Sequence, residues 1–466
     1  MENEKQFRYS KLAGILKDQI YSGYIKPGEY LPSEHQLCYQ YSLSRTSVRK
    51  SLEQLAAEGL IIKKVGAGTM VDPALQVPKE QNRTLHILAT SPHYFIENDG
   101  FAAIENAFKR QYPHVNVKLL KLSGDTHFDE ALRKHHENGL HPDLVFCHDS
   151  QLTGMEDLSM FLDLEPDLGD ALSPLHPELL NGIHRDSSGK KAVPITFSTV
   201  FLVYNPDLFE SRHVAKPDTG WSSSDFLEAA EQLTFDSNGD GIPDQYGFTL
   251  SPWINRWLPF ALQHGLMNPD AGSYEDVLSE TCTFIHELLY TKKGALLFAP
   301  FSKWSADQPF KNGKAAMTLT TTFELSAWRN EGLPFEPEIA PLPFGNVPST
   351  IISSNSLLIP HSSSHEELAL AFIRTAIDPD VQRQIIETTD FLSVVPEVNE
   401  AAKPAALLKA LNASHDRMAY NYYVNELFPD VSVMEELSSQ MTFFWLGLET
   451  ASAFSRKWKR IVPRMV

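Results

Sequence analysis

The sequence predicts two unlike domains, a small α+β head of helix-turn-helix type followed by a much larger α/β body. The chain has 466 residues, which is too long for one hydrophobic core. In residues 8–71 the apolar side chains follow helical spacings and then a hairpin pattern. From residue 85 onward, strands of buried type alternate with amphipathic helices, as in a parallel α/β sheet.

Charge divides the chain in the same way. Residues 1–75 carry ten basic and eight acidic side chains, whereas the other 391 residues carry 30 basic and 51 acidic side chains. The head can therefore approach a phosphate backbone that would repel the body.

Two helices with a turn between them are predicted in the head. Ser33 is suited to be the N-cap of a helix over 34–41, and Ser44 the N-cap of a longer helix that ends near 58. On the longer helix, Val48, Leu52 and Leu55 share an apolar face. Hydroxyl and basic side chains occupy the remaining surface, where a recognition helix needs donors: Arg45, Thr46, Ser47, Arg49 and Lys50. Residues 60–71 predict a hairpin around Gly66, which would complete a winged helix-turn-helix.

Three strings in this region, PGEYLPSE, SRTSVRKSLEQLAAEGLI and VGAGTMV, together resemble the DNA-binding domain of the GntR family. The resemblance implies that Arg45, Thr46 and Arg49 contact operator bases or adjacent phosphates. It also implies that Ser33 holds a phosphate and that Gly66 lets the wing approach the minor groove. One departure is His35, where the family often has an arginine. The alternative is a winged helix used only for protein contacts.

The body begins with a βαβ unit after a polar linker. Residues 85–90 predict a strand, residues near 104–112 an amphipathic helix, and residues 115–120 a second strand. A further strand at 144–146 would point His148 and Asp149 into the crevice where open α/β sheets bind ligands.

Seven strings in the body resemble extracellular solute-binding proteins of the carbohydrate-uptake type, and they occur in that family's order: FKRQYPHVNV, PDLVF, LDLEPDL, AVPITFSTVFLVYNPDLFE, DSNGDGIPDQYGF, FKNGKAAMTL and IAPLPFG. The resemblance implies a periplasmic-binding-protein-like fold of two α/β lobes that close on a ligand, with Tyr204 and Asn205 near a chain crossing. The expected organisation is a DNA-binding domain at 1–75, a linker at 76–84 and an effector-sensing domain at 85–466.

A sugar cleft needs aromatic platforms beside polar side chains, because sugars present both hydroxyls and flat CH faces. Aromatic or polar residues expected on loops of the body are the candidate ligand-binding residues: Tyr94, Asp99, His148, Asp149, Phe197, Trp253, Trp257, Trp304, Phe323 and Glu324. The alternative for each tryptophan is a place in the core.

The segment from Asp236 to Asp244 has the ligand spacing of an EF-hand calcium loop. Oxygen ligands would come from Asp236, Asn238, Asp240, the carbonyl of Ile242 and Asp244. The twelfth position is Gly247 rather than a bidentate glutamate, so the alternative is an Asx-rich turn without a metal.

No catalytic motif is present, and the sequence predicts a regulator rather than an enzyme. We expect a homodimer that binds operator DNA and responds to a carbohydrate, with no cofactor other than structural calcium. The enzyme-class alternative is a MocR-like regulator, whose aminotransferase-like domain would hold pyridoxal phosphate.

The N-terminus lacks a secretory signal pattern and no stretch is apolar enough to span a membrane, which favours the cytoplasm. Cys38, Cys147 and Cys282 are far apart and odd in number, as expected of free thiols.

Overall fold

The computed structural model describes most of the chain between residues 12 and 462. The described ranges are 12–14, 16–17, 19–21, 25–41, 43–64, 68–75, 83–91, 94–97, 99–123, 130, 132–133, 141–155, 158–184, 189–268, 270, 272–298, 308–428 and 430–462.

The head contains the predicted helices and hairpin. Helix α1 spans Glu34–Tyr41 and helix α2 spans Arg45–Ala57. Strands β1 (Ile61–Lys64) and β2 (Gly68–Val71) pair antiparallel. Apolar side chains from the helices and the hairpin form a core that also includes the N-terminal helical residues, and its members include Leu12, Leu16, Ile20, Leu37, Val48, Leu52, Leu55, Ile61 and Val71.

The body has two five-stranded sheets, and each is the centre of one lobe. The strands are β3 (Arg83–Ser91), β4 (Val115–Ser123), β5 (Leu144–His148), β6 (Val193–Thr199), β7 (Phe201–Tyr204), β8 (Tyr246–Leu250), β9 (Ala295–Leu297), β10 (Ala315–Thr320), β11 (Glu338–Ala340) and β12 (Ile352–Leu358). Lobe 1 has the strand order β4-β3-β5-β12-β6, and lobe 2 the order β11-β7-β10-β8-β9.

Helices cover both sheets. Those of lobe 1 are α3 (Tyr94–Glu97), α4 (Asp99–Gln111), α5 (Asp149–Thr153), α6 (Glu165–Leu172), α7 (Pro177–Gly182), α13 (Glu366–Ala376), α14 (Pro379–Thr388), α15 (Pro396–Ala402) and α16 (Ala405–Ala410). Lobe 2 has α8 (Pro206–Arg212), α9 (Ser223–Gln232), α10 (Ile254–Gln263), α11 (Tyr274–His286) with a π-helical turn at Glu287–Thr291, α12 (Thr322–Glu331), α18 (Val424–Leu427), α19 (Val431–Gln440), α20 (Thr442–Trp445) and α21 (Ala451–Ile461). Helix α17 (His415–Met418) lies between the lobes in sequence.

The chain crosses between the lobes three times. The first crossing is at Val200, between β6 and β7, and the others are the segments 341–351 and 411–423. Tyr204 and Asn205 lie at the far end of β7, so the crossing is a few residues earlier than we predicted.

The lobe 1 sheet is mixed rather than wholly parallel. Strands β4, β3 and β5 are parallel as predicted, but β12 returns from lobe 2 and pairs antiparallel with both β5 and β6. This strand was not predicted, because its partners lie about 150 to 210 residues earlier in the chain.

All three cysteines are free thiols, as predicted, and burial raises the pKa of Cys147 and Cys282. Within the described ranges, no helix combines the length and apolar composition that a membrane crossing requires.

His184, after α7, is held in its neutral form by two hydrogen bonds. Its Nδ1 lies 2.7 Å from the Leu180 carbonyl oxygen, and its Nε2 accepts the Ala192 N–H at 2.8 Å. Burial lowers the pKa of His184 to about 4. A proton on Nε2 would remove the acceptor that Ala192 needs.

We therefore expect the free energy of unfolding to fall as the pH decreases from about 6.5, the ordinary histidine pKa, to about 4. The unfolded chain binds the proton first in this window, so His184 can contribute up to about 3 kcal/mol above it. Denaturant unfolding of the wild type and of His184→Gln at several pH values measures the effect. The substitution should flatten the profile, and His361→Gln, at an exposed position, should not. Equal slopes in all three proteins would contradict the assignment.

Candidate DNA-binding surface and ligand cleft

Helix α2 presents the predicted basic row to solvent. Arg45, Thr46, Arg49 and Lys50 are exposed, while the opposite face is buried in the head core. Four donor side chains in six residues of one helix can contact phosphates and base edges together.

Arg49 also joins the two helices of the head. Its Nε donates to Glu34 Oε2 at 2.8 Å, and its side chain remains 60% exposed. The contact with Glu34 raises the pKa of Arg49. Because Nε is held, the terminal amino groups are the part of the guanidinium that can contact DNA.

Ser33, Ser44 and Ser47 form hydrogen bonds at the N-termini of α1 and α2. Ser33 and Gln36 form reciprocal hydrogen bonds, with Ser33 Oγ accepting the Gln36 N–H and Gln36 Oε1 accepting the Ser33 N–H. The Ser47 N–H donates to Ser44 Oγ at 3.2 Å, and the two hydroxyl oxygens are 3.0 Å apart. Gly66 lies outside the described residues.

In the body, His148 and Asp149 lie at the carboxyl end of β5, as predicted. The His148 Nδ1 is 3.1 Å from Asp149 Oδ1. Asp149 is buried and accepts the Ser354 N–H at 2.9 Å, so it also fixes the start of β12. The His148 ring faces lobe 2, where its centroid lies 6.2 Å from that of Phe323.

Phe323 contacts lobe 1 on two sides. It is only 5% exposed, because it also packs against Phe391 of lobe 1 with ring centroids 5.3 Å apart. Further along α12, Arg329 donates to Asp390 Oδ1 of lobe 1 at 2.8 Å. Helix α12 therefore joins the lobes through an aromatic cluster and an ion pair.

Glu324 is the centre of a polar cluster beside Phe323. Its Oε2 accepts from Arg256 Nη2 at 2.6 Å and from Thr320 Oγ1 at 3.1 Å. Arg256 is buried, and its Nη1 has no hydrogen-bond partner among the described residues. This polar cluster, which has both donors and an acceptor at the carboxyl ends of β8 and β10, can bind a polar ligand group. Arg256, Arg329, Asp390 and Phe391 were not predicted, since neither motif nor periodicity marks them.

Phe197 and Trp257 were wrongly predicted to line the cleft. Phe197 is fully buried within β6, and its ring packs edge-on against His176. Trp257 is fully buried in lobe 2, where its ring packs against Trp445 and Trp458. Both are core residues because their flanking segments fold into regular elements rather than loops.

The other candidates are placed as follows. Trp253 is half-buried at the N-cap of α10, one turn before Arg256. Asp99 is the exposed first residue of α4. Tyr94 begins α3, and its side chain lies outside what the structure describes, as does all of Trp304.

The predicted calcium loop is held by its own backbone hydrogen bonds. Asp236 accepts the N–H groups of Gly239 at 2.7 Å and Gly241 at 2.6 Å, which helps to lower its pKa. Asp240 Oδ1 accepts the Ile242 N–H, and Asp244 binds Ser237 through both oxygens. In the described part of the chain, no group of three or more His, Cys, Asp or Glu side chains is arranged to hold a metal. These hydrogen bonds are those of an Asx-rich turn.

Gly247 explains why the twelfth ligand is missing from this loop. It lies in β8 against α9, and a Cβ at this position would be 2.0 Å from the Ala230 carbonyl oxygen. A glutamate cannot fit there, so any calcium site would have to function without the bidentate ligand.

If the loop takes up a cation, we expect calcium in about the millimolar range to raise the melting temperature of chelator-treated protein. Asp240→Asn should abolish the shift, since it removes a charge but keeps the oxygen that accepts the Ile242 N–H. Asp218→Asn is the matched control, because Asp218 forms a similar exposed turn with the Gly220 N–H. A flat calcium response would leave the loop as a structural turn.

Two family models match separate parts of the chain. Residues 103–410 match the family described as bacterial extracellular solute-binding protein, and residues 8–71 match bacterial regulatory proteins of the gntR family.

Curated relatives match the head. A probable fructoselysine utilization operon transcriptional repressor of Escherichia coli is 35% identical over 82 residues, which are 18% of this chain and 32% of the repressor. An arabinose metabolism transcriptional repressor of Geobacillus stearothermophilus is 39% identical over 85 residues, which are 18% of this chain and 23% of that protein. The match thus spans a third or less of either regulator.

Solved structures match the body. An ABC substrate-binding protein from Listeria monocytogenes in complex with cycloalternan has a TM-score of 0.65 at 17% identity, covering 82% of this chain and 98% of that one. The maltose/maltodextrin-binding domain from Bdellovibrio bacteriovorus bound to maltotriose has a TM-score of 0.62 at 18% identity. That match covers 81% of this chain and 98% of the other. These likenesses establish the two-lobed fold of the body. The chain therefore belongs to the bacterial extracellular solute-binding protein family and carries a gntR family helix-turn-helix domain at its N-terminus.

Proposed function

We propose that this chain is a transcriptional regulator that binds operator DNA through its head and senses a carbohydrate in the cleft of its body. The observation that carries the proposal is the union of an exposed basic row on α2 with a two-lobed ligand-binding fold in one chain. The repressors that match the head, and the sugar complexes that match the fold of the body, support the two halves.

The head is proposed to bind as one half of a dimer. A single helix-turn-helix covers one half-site, and pairing about a two-fold axis doubles the contacts on a pseudo-palindromic operator. The β1–β2 hairpin would act as the wing. A regulator of this kind works where the DNA is, and we place it in the cytoplasm.

The cleft is proposed to hold the sugar between the polar cluster of Glu324 and Arg256 and the aromatic rings of Phe323 and Trp253. Guanidinium and carboxylate groups can exchange hydrogen bonds with sugar hydroxyls, while the rings cover CH faces. Since Phe323 now packs on lobe 1, a sugar must displace that contact or bind beside it.

The pyridoxal phosphate alternative has no support. The body belongs to the solute-binding family, which is not the aminotransferase-like domain that the alternative requires. A regulator without enzymatic activity accounts for both matched families.

For the head, we expect Arg45→Ala to weaken specific operator binding by about 1–3 kcal/mol, as expected when an arginine contacts a base. Fluorescence anisotropy with the operator and with unrelated DNA separates specific from general binding. Arg110→Ala, which removes an exposed arginine from the body, is the control. Unchanged operator affinity in Arg45→Ala would contradict the assignment.

For the body, we expect a saccharide to change both tryptophan fluorescence and operator affinity. Coupling between two sites is commonly about 1–3 kcal/mol and is reciprocal, so operator DNA must change sugar affinity by the same factor. Trp253→Phe should remove the fluorescence response, while Trp221→Phe should keep it, because Trp221 packs on Phe209 instead. The coupling is absent if saturating sugar leaves operator affinity unchanged. A sugar library without any response would argue against the carbohydrate itself.

A further inference from the structure

Three large apolar side chains are exposed together on lobe 2. Phe443 is 58% exposed, Leu446 62% and Leu448 72%, and all three lie within six residues of α20 and the turn after it. Among the described residues, the other exposed large apolar side chains belong to separate segments: Tyr21, Tyr30, Ile62, Ile242 and Tyr420. An apolar cluster on a soluble protein often marks a contact surface.

The backbone below these side chains is fixed. The Gly447 N–H donates to the Phe444 carbonyl at 3.0 Å, and the Leu448 N–H donates to the Phe443 carbonyl at 2.9 Å, which is the helix-ending pattern that needs a left-handed residue. Gly447 supplies that residue with φ of 69°. Trp445, which lies between Phe443 and Leu446 in sequence, packs into the lobe 2 core. The apolar side chains are therefore presented on a rigid turn.

Charges of opposite sign flank this turn. Helix α19 precedes it and exposes Glu435 and Glu436, whereas α21 follows it and exposes Arg456 and Arg460. The two arginines are four residues apart and share one face of α21. Helix α19 packs against both α20 and α21, so the acidic and basic residues lie on neighbouring helices.

We propose that this surface is the contact between two copies of the chain, paired about a two-fold axis. We call it the C-terminal patch, and it consists of Phe443, Leu446, Leu448, Glu435, Glu436, Arg456 and Arg460. In a two-fold pair each surface meets its own copy. The acidic helix of one copy can then face the basic helix of the other, on both sides of a shared apolar centre. A second copy of this chain is therefore the partner that fits this surface, because two-fold symmetry places opposite charges in contact.

The regulatory role of the C-terminal patch rests on the proposed function. The patch lies on lobe 2, whereas the head is joined to lobe 1. The linker enters β3 of lobe 1 at Arg83, whereas the patch belongs to lobe 2. The chain crossings therefore separate the pairing surface from the DNA-binding surface. Rotation of the lobes would change the distance between two heads even though the contact between the copies stays fixed.

Sedimentation of the full chain without DNA or sugar tests the patch. We expect a dimer for the wild type, and a dissociation constant at least about tenfold higher for Phe443→Ser combined with Leu446→Ser, because truncated interface anchors commonly have effects of this size. Ile242→Ser is the control, since Ile242 is 68% exposed on a different segment. A wild type that is monomeric at every concentration, or a dimer that the double substitution leaves unchanged, would overturn the proposal.

Exchange of the charges tests the pairing without altering the apolar centre. The variant with Glu435→Arg and Glu436→Arg, and the variant with Arg456→Glu and Arg460→Glu, should each dimerise more weakly than the wild type, since like charges then face each other. Mixed together, the two variants should form a heterodimer, because each side of the contact again joins opposite charges. Recovery in the mixture also shows that both variants are folded, and its absence would refute the two-fold arrangement. None of these measurements depends on DNA or sugar binding, so they can succeed even if the proposed function fails.

Discussion

Three chain crossings meet in one hydrogen-bonded cluster, and the arrangement of the body depends on it. The Val200 N–H donates to the Ile351 carbonyl at 2.9 Å, and the Ile352 N–H donates to the Tyr422 carbonyl at the same distance. Thr350 adds a side-chain bond to the Val200 carbonyl at 2.7 Å. Because these bonds join all three crossings, a change in the relative orientation of the lobes would involve backbone rotation in this cluster.

Away from the crossings, weaker contacts hold the lobes together. The ion pair of Arg329 and Asp390 is about one-third exposed on both sides, so it contributes little net stability and can be exchanged for water. The ring contacts of Phe323 with His148 and Phe391 are more buried, and they lie beside the carboxyl ends of β5 and β10. Rotation of one lobe against the other would break these contacts and leave the crossings intact.

The local elements could be predicted from sequence, but the environments of single side chains could not. The caps at Ser33 and Ser44 depend on partners three residues away, and the first βαβ unit pairs strands only 32 residues apart. The burial of Trp257 depends instead on Trp458, about two hundred residues later, and that of Phe197 on Leu392. The polar cluster at Glu324 was found only in part, because Arg256 comes from a different helix and carries no motif.

The strand order of lobe 1 also determines when each part of the molecule can form during synthesis. The buried residues of the head core all lie between Leu12 and Val71, so this core can form before the body has been synthesised. Lobe 1 cannot close its sheet until β12 is made, because that strand lies between β5 and β6. Contacts so distant in sequence form late, and the incomplete lobe exposes strand edges in the meantime. A chain that stops before β12 would therefore have a folded head and a body whose first sheet is incomplete.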